Sequence, residues 1–334
     1  MKKILISISA FFIVFTSLYL LGPKANYKKV NPSISLLNIP IDSIDQYLIN
    51  KENDFPNIKI HNESRIVWAD LIKKTKYSIV YLHGFSAGVM ESNPVHVNLA
   101  KKYGCNLYLP RLSGHGLADK ESFKNLTPND LVEDAKEAIA IGNIIGEKVI
   151  VLSCSTGGTL SIYLTAHNPE LIHSQILYSP NISLYDPLAK TITEPWGREI
   201  LKYNLGDYKK GRAKDYGTRI EDYWTLDYRI EGLIALQSLI DQTMIESTFS
   251  MISSPYFMGY YYKNEKESDH VVSVDAMQAF DQNTSTPDNL KVNKAFPNVG
   301  VHVIASDLKS KDIEGVINST SAFIEEVLQL ESTE

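Results

Sequence analysis

Apolar and polar positions fall into two alternating rhythms along most of this chain. "RIVWADL" and "YSIVYLHGF" read as strands, and the second is almost wholly apolar, as a strand buried on both faces should be. "PVHVNLAKKYG" has helical spacing and stops at a glycine. "CNLYLP" is a strand. "TPNDLVEDAKEAIAIG" opens with a threonine N-cap, a proline and first-turn acids, which together start a helix. "KVIVLS", "TGGTLSIYLTAHN" and "SQILYSP" then give strand, helix and strand. Repetition of this order predicts a mostly parallel sheet with right-handed crossovers, flanked by helices.

The rhythm breaks over residues 182–254, which are helix-like and rich in aromatics: Trp196, Tyr203, Tyr208, Tyr216, Tyr223, Trp224 and Tyr228. Leu233, Leu236, Ile240 and Met244 recur there at helical spacing. "PYFMGYYYK" resumes as a strand. A loop, a helix, a last strand near "KVNKAF" and the helix "KDIEGVINSTSAFIEEVLQL" finish the pattern. Residues 23–62 read as a polar linker with a short helical patch.

Residues 4–22 carry no charge. As a helix they would span about 28 Å, close to the hydrocarbon thickness of a bilayer. The expectation is a membrane anchor. The alternative, a cleaved secretory signal, is disfavoured by the length of the run and by "PKANYKK", which offers no small-x-small cleavage site. A buried core helix is a poor fit, because the run has no polar face. Lys2 and Lys3 before the run nearly balance Lys24, Lys28 and Lys29 after it. The short, two-lysine head favours a cytoplasmic N-terminus with the body outside the inner membrane.

Composition removes several classes. The net charge of −6 and the absence of a basic stripe argue against a nucleic-acid partner. With only Cys105 and Cys154, there is no disulfide framework and no Cys-rich metal site. Read as opening one strand and lying beyond the end of its neighbour, the two cysteines stand roughly 15 Å apart at about 3.3 Å per residue. That is too far for a bridge, so two free, buried thiols are expected.

The chemistry concentrates at "SCSTGG". Small-x-Ser-x-Gly between a strand and a helix is the nucleophile-elbow pattern. Ser155 would sit on a strained turn with its hydroxyl at the carboxyl end of the sheet, over a helix N-terminus. Ser153 stands where glycine is usual, and Gly157 keeps the strand–helix approach close. Alone, the motif also fits a turn that merely caps a helix. "YLHGFSAG" follows an earlier strand and brings in a second group: the amides of Phe85 and Thr156 could form an oxyanion hole. His115, in "RLSGHG", reads as structural.

A serine nucleophile needs a base and an orienting carboxylate, in chain order Ser, acid, His. Asp269 in "KNEKESDHVVS" is the expected acid, with Glu265, Glu267 and Asp275 as competitors. His302 in "NVGVHVIASD" is the expected base. His83, His96 and His115 precede the serine, His173 opens a strand, and His270 adjoins the acid and would point elsewhere.

With "HGF", "GHG", "SCSTGG", "SDHVVS" and "GVHVIAS" in this order, residues 63–330 resemble the α/β-hydrolase superfamily, within it the monoacylglycerol lipase, lysophospholipase and carboxylesterase branch. The resemblance implies an α/β-hydrolase core in two parts, 63–181 and 255–334, with 182–254 as a helical cap, 23–62 as a lead-in and 1–22 as anchor or signal. It also implies a serine hydrolase that cleaves carboxylic esters, such as lipid-derived or small acyl esters, through an acyl-enzyme on Ser155. It leaves the substrate open. Such a triad needs no metal or organic cofactor, and phosphate-loop, dinucleotide and zinc-type motifs are missing. Thioester, amide or peptide cleavage on the same scaffold is the first alternative; a non-catalytic, membrane-tethered binding protein is the second. The insertion's aromatics either pack a small cap or also line an acyl pocket or touch lipid, and "KKGRAK" at 209–214, which could touch anionic head groups, reads rather as a solvated loop.

Overall fold

The computed structural model describes residue 12 and residues 14–333. Seven strands form the central sheet: β1 (Arg65–Val67), β2 (Thr75–Leu82), β3 (Asn106–Leu109), β4 (Gly146–Cys154), β5 (Ser174–Tyr178), β6 (Tyr256–Tyr260) and β7 (Lys291–Ala295). Their spatial order is β1-β3-β2-β4-β5-β6-β7. Only β1 runs antiparallel, pairing Ile66 with Tyr108; every other neighbouring pair is parallel.

The apolar character of β2 follows from burial on both faces. Ile79 and Tyr81 join one core layer, beneath helices α2 (Val95–Lys102) and α8 (Ile313–Glu326). Val80 and Leu82 join the other, beneath α3 (Pro128–Ile145) and α4 (Thr156–His167). The predicted start of α3 is present as a reciprocal capping box between Thr127 and Asp130, with Pro128 in the first turn.

Two expectations change. β3 and β4 are not neighbours, because β2 lies between them, and Cys154 is the last residue of β4 instead of lying beyond it. Both thiols are buried and free, and burial pushes that of Cys105 up to about 12. Residues 23–62 are not a loose linker. Helix α1 (Ile44–Glu52) buries Ile44 and Leu48 in the second layer, and the Tyr163 hydroxyl and Asn168 amide donate to the carbonyls of Val30 and Pro32. The apolar positions that do this are too few and too widely spaced to stand out among polar neighbours.

Between β5 and β6 lies the helical insertion, with α5 (Gly197–Leu205) and α6 (Glu231–Thr243) as its longer helices. Leu236 and Ile240 are buried on α6, as their spacing predicts. The aromatics divide. Trp224 and Tyr228 are buried, whereas Trp196, Tyr203 and Tyr216 are exposed, Tyr203 at 91%. After β6 come α7 (Val274–Asn283) and β7. Residues 4–11 and 13 of the expected anchor over 4–22 lie outside the described residues; among the described residues no helix is long and apolar enough to cross a membrane.

Candidate active site

Ser155 occupies the turn between β4 and α4 with φ 52° and ψ −116°, a region costly for any residue with a side chain. Backbone bonds hold it there: its amide donates to Tyr178 O at 3.0 Å, and its carbonyl accepts from Gly158 N at 2.8 Å and Asn181 N at 2.9 Å. The turn is also crowded. A Cβ on Gly157 would lie 1.9 Å from the carbonyl oxygen of Leu82, and one on Gly84 would lie 3.1 Å from Ser155 Cβ. The two glycines therefore let the end of β2, the "HGF" loop and the serine turn share one small volume.

Asp269 and His302 arrive from the loops that follow β6 and β7. Asp269 Oδ2 meets His302 Nδ1 at 2.6 Å. Its Oδ1 accepts from the amides of Val271 at 2.8 Å and Val272 at 3.1 Å, which fixes the carboxylate plane. Burial opposes both charges here, but their mutual attraction and hydrogen bonding win. Asp269 is held below the usual aspartate value and His302 above the usual histidine value. Ser179 Oγ donates to the carbonyl of His302 at 2.8 Å and steadies that loop. Of the competing acids, Glu267 pairs with Lys263 in an exposed hairpin and Asp275 lies in the first turn of α7. His270 stacks on Tyr185, ring centres 4.7 Å apart.

Ser155 and His302 line one cavity of about 1010 Å³, together with Phe85 and Thr156. The two side chains face it without sharing a hydrogen bond; such contacts commonly tighten only around a bound substrate. The amides of Phe85 and Thr156 have no hydrogen-bond partner among the described residues. Two unpartnered donors on one cavity with a serine hydroxyl are the groups an oxyanion hole requires. Buried His83 braces the loop: its Nε2 accepts from Leu112 N at 3.2 Å, so its Nδ1–H points to Gly84 O at 3.0 Å. Burial pushes His83 down to about 4, so it stays neutral. His115 is buried against His83, Phe85 and Phe123.

Sequence reasoning missed three residues. Glu91 is buried, and its Oε2 accepts from Gly84 N at 2.6 Å and from the Tyr81 hydroxyl at 2.9 Å. Lys309 lines the cavity with its ammonium 4.0 Å from the centre of the Trp224 ring. A lone acid and a lone lysine in loops have no period or spacing that marks them, and Trp224 was read only as one aromatic among seven. "KKGRAK" is also more than a solvated loop, since Lys209, Lys210, Arg212 and Lys214 line the cavity mouth. Tyr228, Leu233 and Leu236 supply apolar wall.

Residues 73–214 match the family model Hydrolase_4, described as serine aminopeptidase, S33. A thermostable monoacylglycerol lipase of Bacillus sp. (strain H-257) is 31% identical over 93 residues, which are 28% of this chain and 36% of that protein. The match thus spans about a third of that relative's length. Among solved structures, one from work on LipS and LipT, two metagenome-derived lipolytic enzymes, superposes with a TM-score of 0.65 at 15% identity, covering 80% of this chain and 99% of the other. The monoacylglycerol lipase of Paleococcus ferrophilus gives 0.56 at 13% identity over 79% and 98%. Est1E of Butyrivibrio proteoclasticus, with ferulic acid bound, gives 0.51 at 16% over 80% and 95%. These distant likenesses speak for the fold, and with the strand order they carry one conclusion: the chain has the α/β-hydrolase fold.

Proposed function

We propose that the protein is a serine hydrolase that cleaves carboxylic esters, with lipid-derived acyl esters as its substrate class. The observation that carries this reading is the 2.6 Å bond between Asp269 and His302 in the wall of the cavity onto which Ser155 opens. Ser155 Oγ attacks the acyl carbonyl while His302 Nε2 takes its proton. Asp269 holds the imidazole with Nδ1 protonated and stabilises its positive charge. The amides of Phe85 and Thr156 receive the oxyanion, an effect worth about 3 kcal/mol per donor in comparable sites. The C–O bond breaks as His302 returns the proton to the leaving alcohol. Water, deprotonated by His302, then releases the acid and restores Ser155. The apolar wall of Tyr228, Leu233 and Leu236 suits a hydrocarbon chain.

The apolar stretch 4–22 tethers the enzyme to a membrane in this reading, with the catalytic body outside the cytoplasm and the substrate drawn from the lipid phase. Leu18, Leu20 and Leu21 are exposed, as such a reading requires. Detergent-dependent extraction of the full chain, lost on deleting residues 1–22, tests the tether.

The enzymatic reading is tested with a fluorophosphonate probe and p-nitrophenyl esters of graded chain length. Labelling and turnover are expected in the wild type and absent in Ser155→Ala. Full esterase activity in Ser155→Ala would overturn the assignment. A matching p-nitroanilide and a thioester in the same assay decide between ester, amide and thioester chemistry.

A further inference from the structure

The chain carries a net charge of −6, yet the cavity mouth is cationic. Lys209, Lys210, Arg212, Lys214, Arg219 and Lys309 line it, against two carboxylates, Glu91 and Asp215. Both acids are already engaged. Glu91 holds the Gly84 amide and the Tyr81 hydroxyl, and Asp215 holds Arg212 through contacts of 2.7 and 3.2 Å. The cations come from two separate parts of the chain. Five belong to the insertion and most of these are exposed at the rim; Lys309 lies in the loop beyond His302 and is half-buried.

Lys309 is the telling member. Its ammonium makes no ion pair among the described residues and rests on the indole of Trp224. The backbone that carries this ring is held in place, since Lys59 Nζ donates to Trp224 O at 2.9 Å and Thr225 N donates to Ser86 O at 2.7 Å. A cation–π contact offsets only part of the cost of desolvating an ammonium. Burial lowers Lys309 from the usual lysine value; Glu91 and Asp215 favour its charge and Arg212 opposes it, but burial prevails. Its charge also disfavours protonated His302. An anion placed beside Lys309 would relieve both penalties.

We propose that the cavity selects acyl esters that carry an anionic group, a phosphate or a carboxylate, bound by Lys309 and Arg212 and attracted by the lysine rim. This rests on the reading of Ser155 as the acylated nucleophile. The anion takes no part in bond making or breaking; it orients the ester so that its carbonyl meets Ser155.

Two matched substrate pairs test it. One sets lauroylglycerol against lauroylglycerol phosphate, which places a phosphate on the leaving alcohol. The other sets p-nitrophenyl hexanoate against the mono-p-nitrophenyl ester of adipic acid, which places a carboxylate on the acyl chain. The anionic member of at least one pair should show about 10-fold higher kcat/KM at low salt, and the advantage should shrink between about 0.05 and 0.5 M NaCl. The pair that shows it identifies the source of the anion. Lys309→Met should collapse the anionic-to-neutral ratio, Lys309→Arg should restore most of it, and Arg212→Gln should lower it in a chain whose loop beyond His302 is untouched. A wild-type ratio at or below one in both pairs, with Ser155-dependent turnover of the neutral esters intact, overturns the anion site and leaves the hydrolase reading standing. So does a ratio unmoved by both Lys309→Met and Arg212→Gln. Absence of Ser155-dependent turnover of all four esters, together with absence of fluorophosphonate labelling, removes the hydrolase reading and the anion site with it.

Discussion

The carboxylate of Glu91 accepts a 2.6 Å hydrogen bond from the amide of Gly84, the residue immediately before Phe85. That bond sets the direction of the loop whose next residue, Phe85, lines the cavity together with Ser155. The Tyr81 hydroxyl, which itself accepts from Ser92 Oγ at 2.8 Å, fixes the same carboxylate oxygen. Glu91 is therefore a positioning residue.

Glu91→Ala is expected to leave the Gly84 amide and the Tyr81 hydroxyl buried without an acceptor, at about 1–3 kcal/mol for each unsatisfied group. It should lower kcat more than it raises KM, because an oxyanion donor is displaced while the acyl wall is untouched. Glu91→Gln keeps an acceptor for Gly84 and should recover most of kcat. Glu91 also favours the charged form of His302, so Glu91→Gln should move the acid limb of the kcat/KM profile to lower pH. A purely structural role would leave that limb in place. Steady-state kinetics against pH, with urea denaturation of both variants, checks the split.

The pH dependence has a definite sign. As the base, His302 must be neutral, and it is held above the usual histidine value near 6.5. Burial alone would lower it; attraction and hydrogen bonding to Asp269 overcome that. Activity should thus rise with pH through a limb above about 6.5, the unperturbed histidine value. Asp269→Asn removes the raising partner and presents the wrong tautomer. It should shift the limb downward and cost about 10⁴-fold in kcat, the scale seen when a triad carboxylate is neutralised. A limb that stays put in Asp269→Asn would separate His302 from Asp269 functionally.

Gly157→Ala tests the crowding at the elbow. The added methyl would stand 1.9 Å from Leu82 O and 2.5 Å from Leu82 C, both backbone atoms that cannot rotate aside. The end of β2 must move, and the "HGF" loop moves with it. A loss of about 1–3 kcal/mol is expected, the range for an over-packed core site. Fluorophosphonate labelling should slow even at a urea concentration where the variant is fully folded.

How much of this was legible beforehand depended on periodicity and local order. β2, β4 and α4 announced themselves because burial on both faces leaves an unbroken apolar run, and the serine turn between them is contiguous in the chain. Asp269 and His302 were reachable because each follows a strand. Glu91 and Lys309 were not, since what makes them matter is a neighbour distant in sequence: Tyr81 and Gly84 for one, Trp224 for the other. The packing of the lead-in is hidden from the sequence for a related reason. Part of its hold on the core runs through backbone carbonyls at Val30 and Pro32, which any residue could supply.

Besides Lys59, that lead-in reaches the site through a buried ion pair. Arg111 Nε lies 2.8 Å from Glu52 Oε2, with side chains only 3% and 9% exposed. Glu52 sits at the end of α1, and Ser64 donates to it while receiving Arg111 N at 2.9 Å. Arg111 in turn donates to His115 O at 3.3 Å, and His115 packs edge-on against the Phe85 ring. The chain of contacts therefore runs from α1 to the ring of a proposed oxyanion-hole residue. Removing one partner strands a buried charge, so Glu52→Gln and Arg111→Met should each cost about 3–5 kcal/mol. Replacing both with apolar side chains, as in Glu52→Leu with Arg111→Met, should restore much of that stability. Activity should not return in step, because the double variant still lacks the Arg111 bond to His115 O that steadies the packing under Phe85. Urea midpoints set beside ester kcat/KM across the double-mutant cycle read both quantities. Recovery of activity in proportion to stability would show that the pair acts on folding alone.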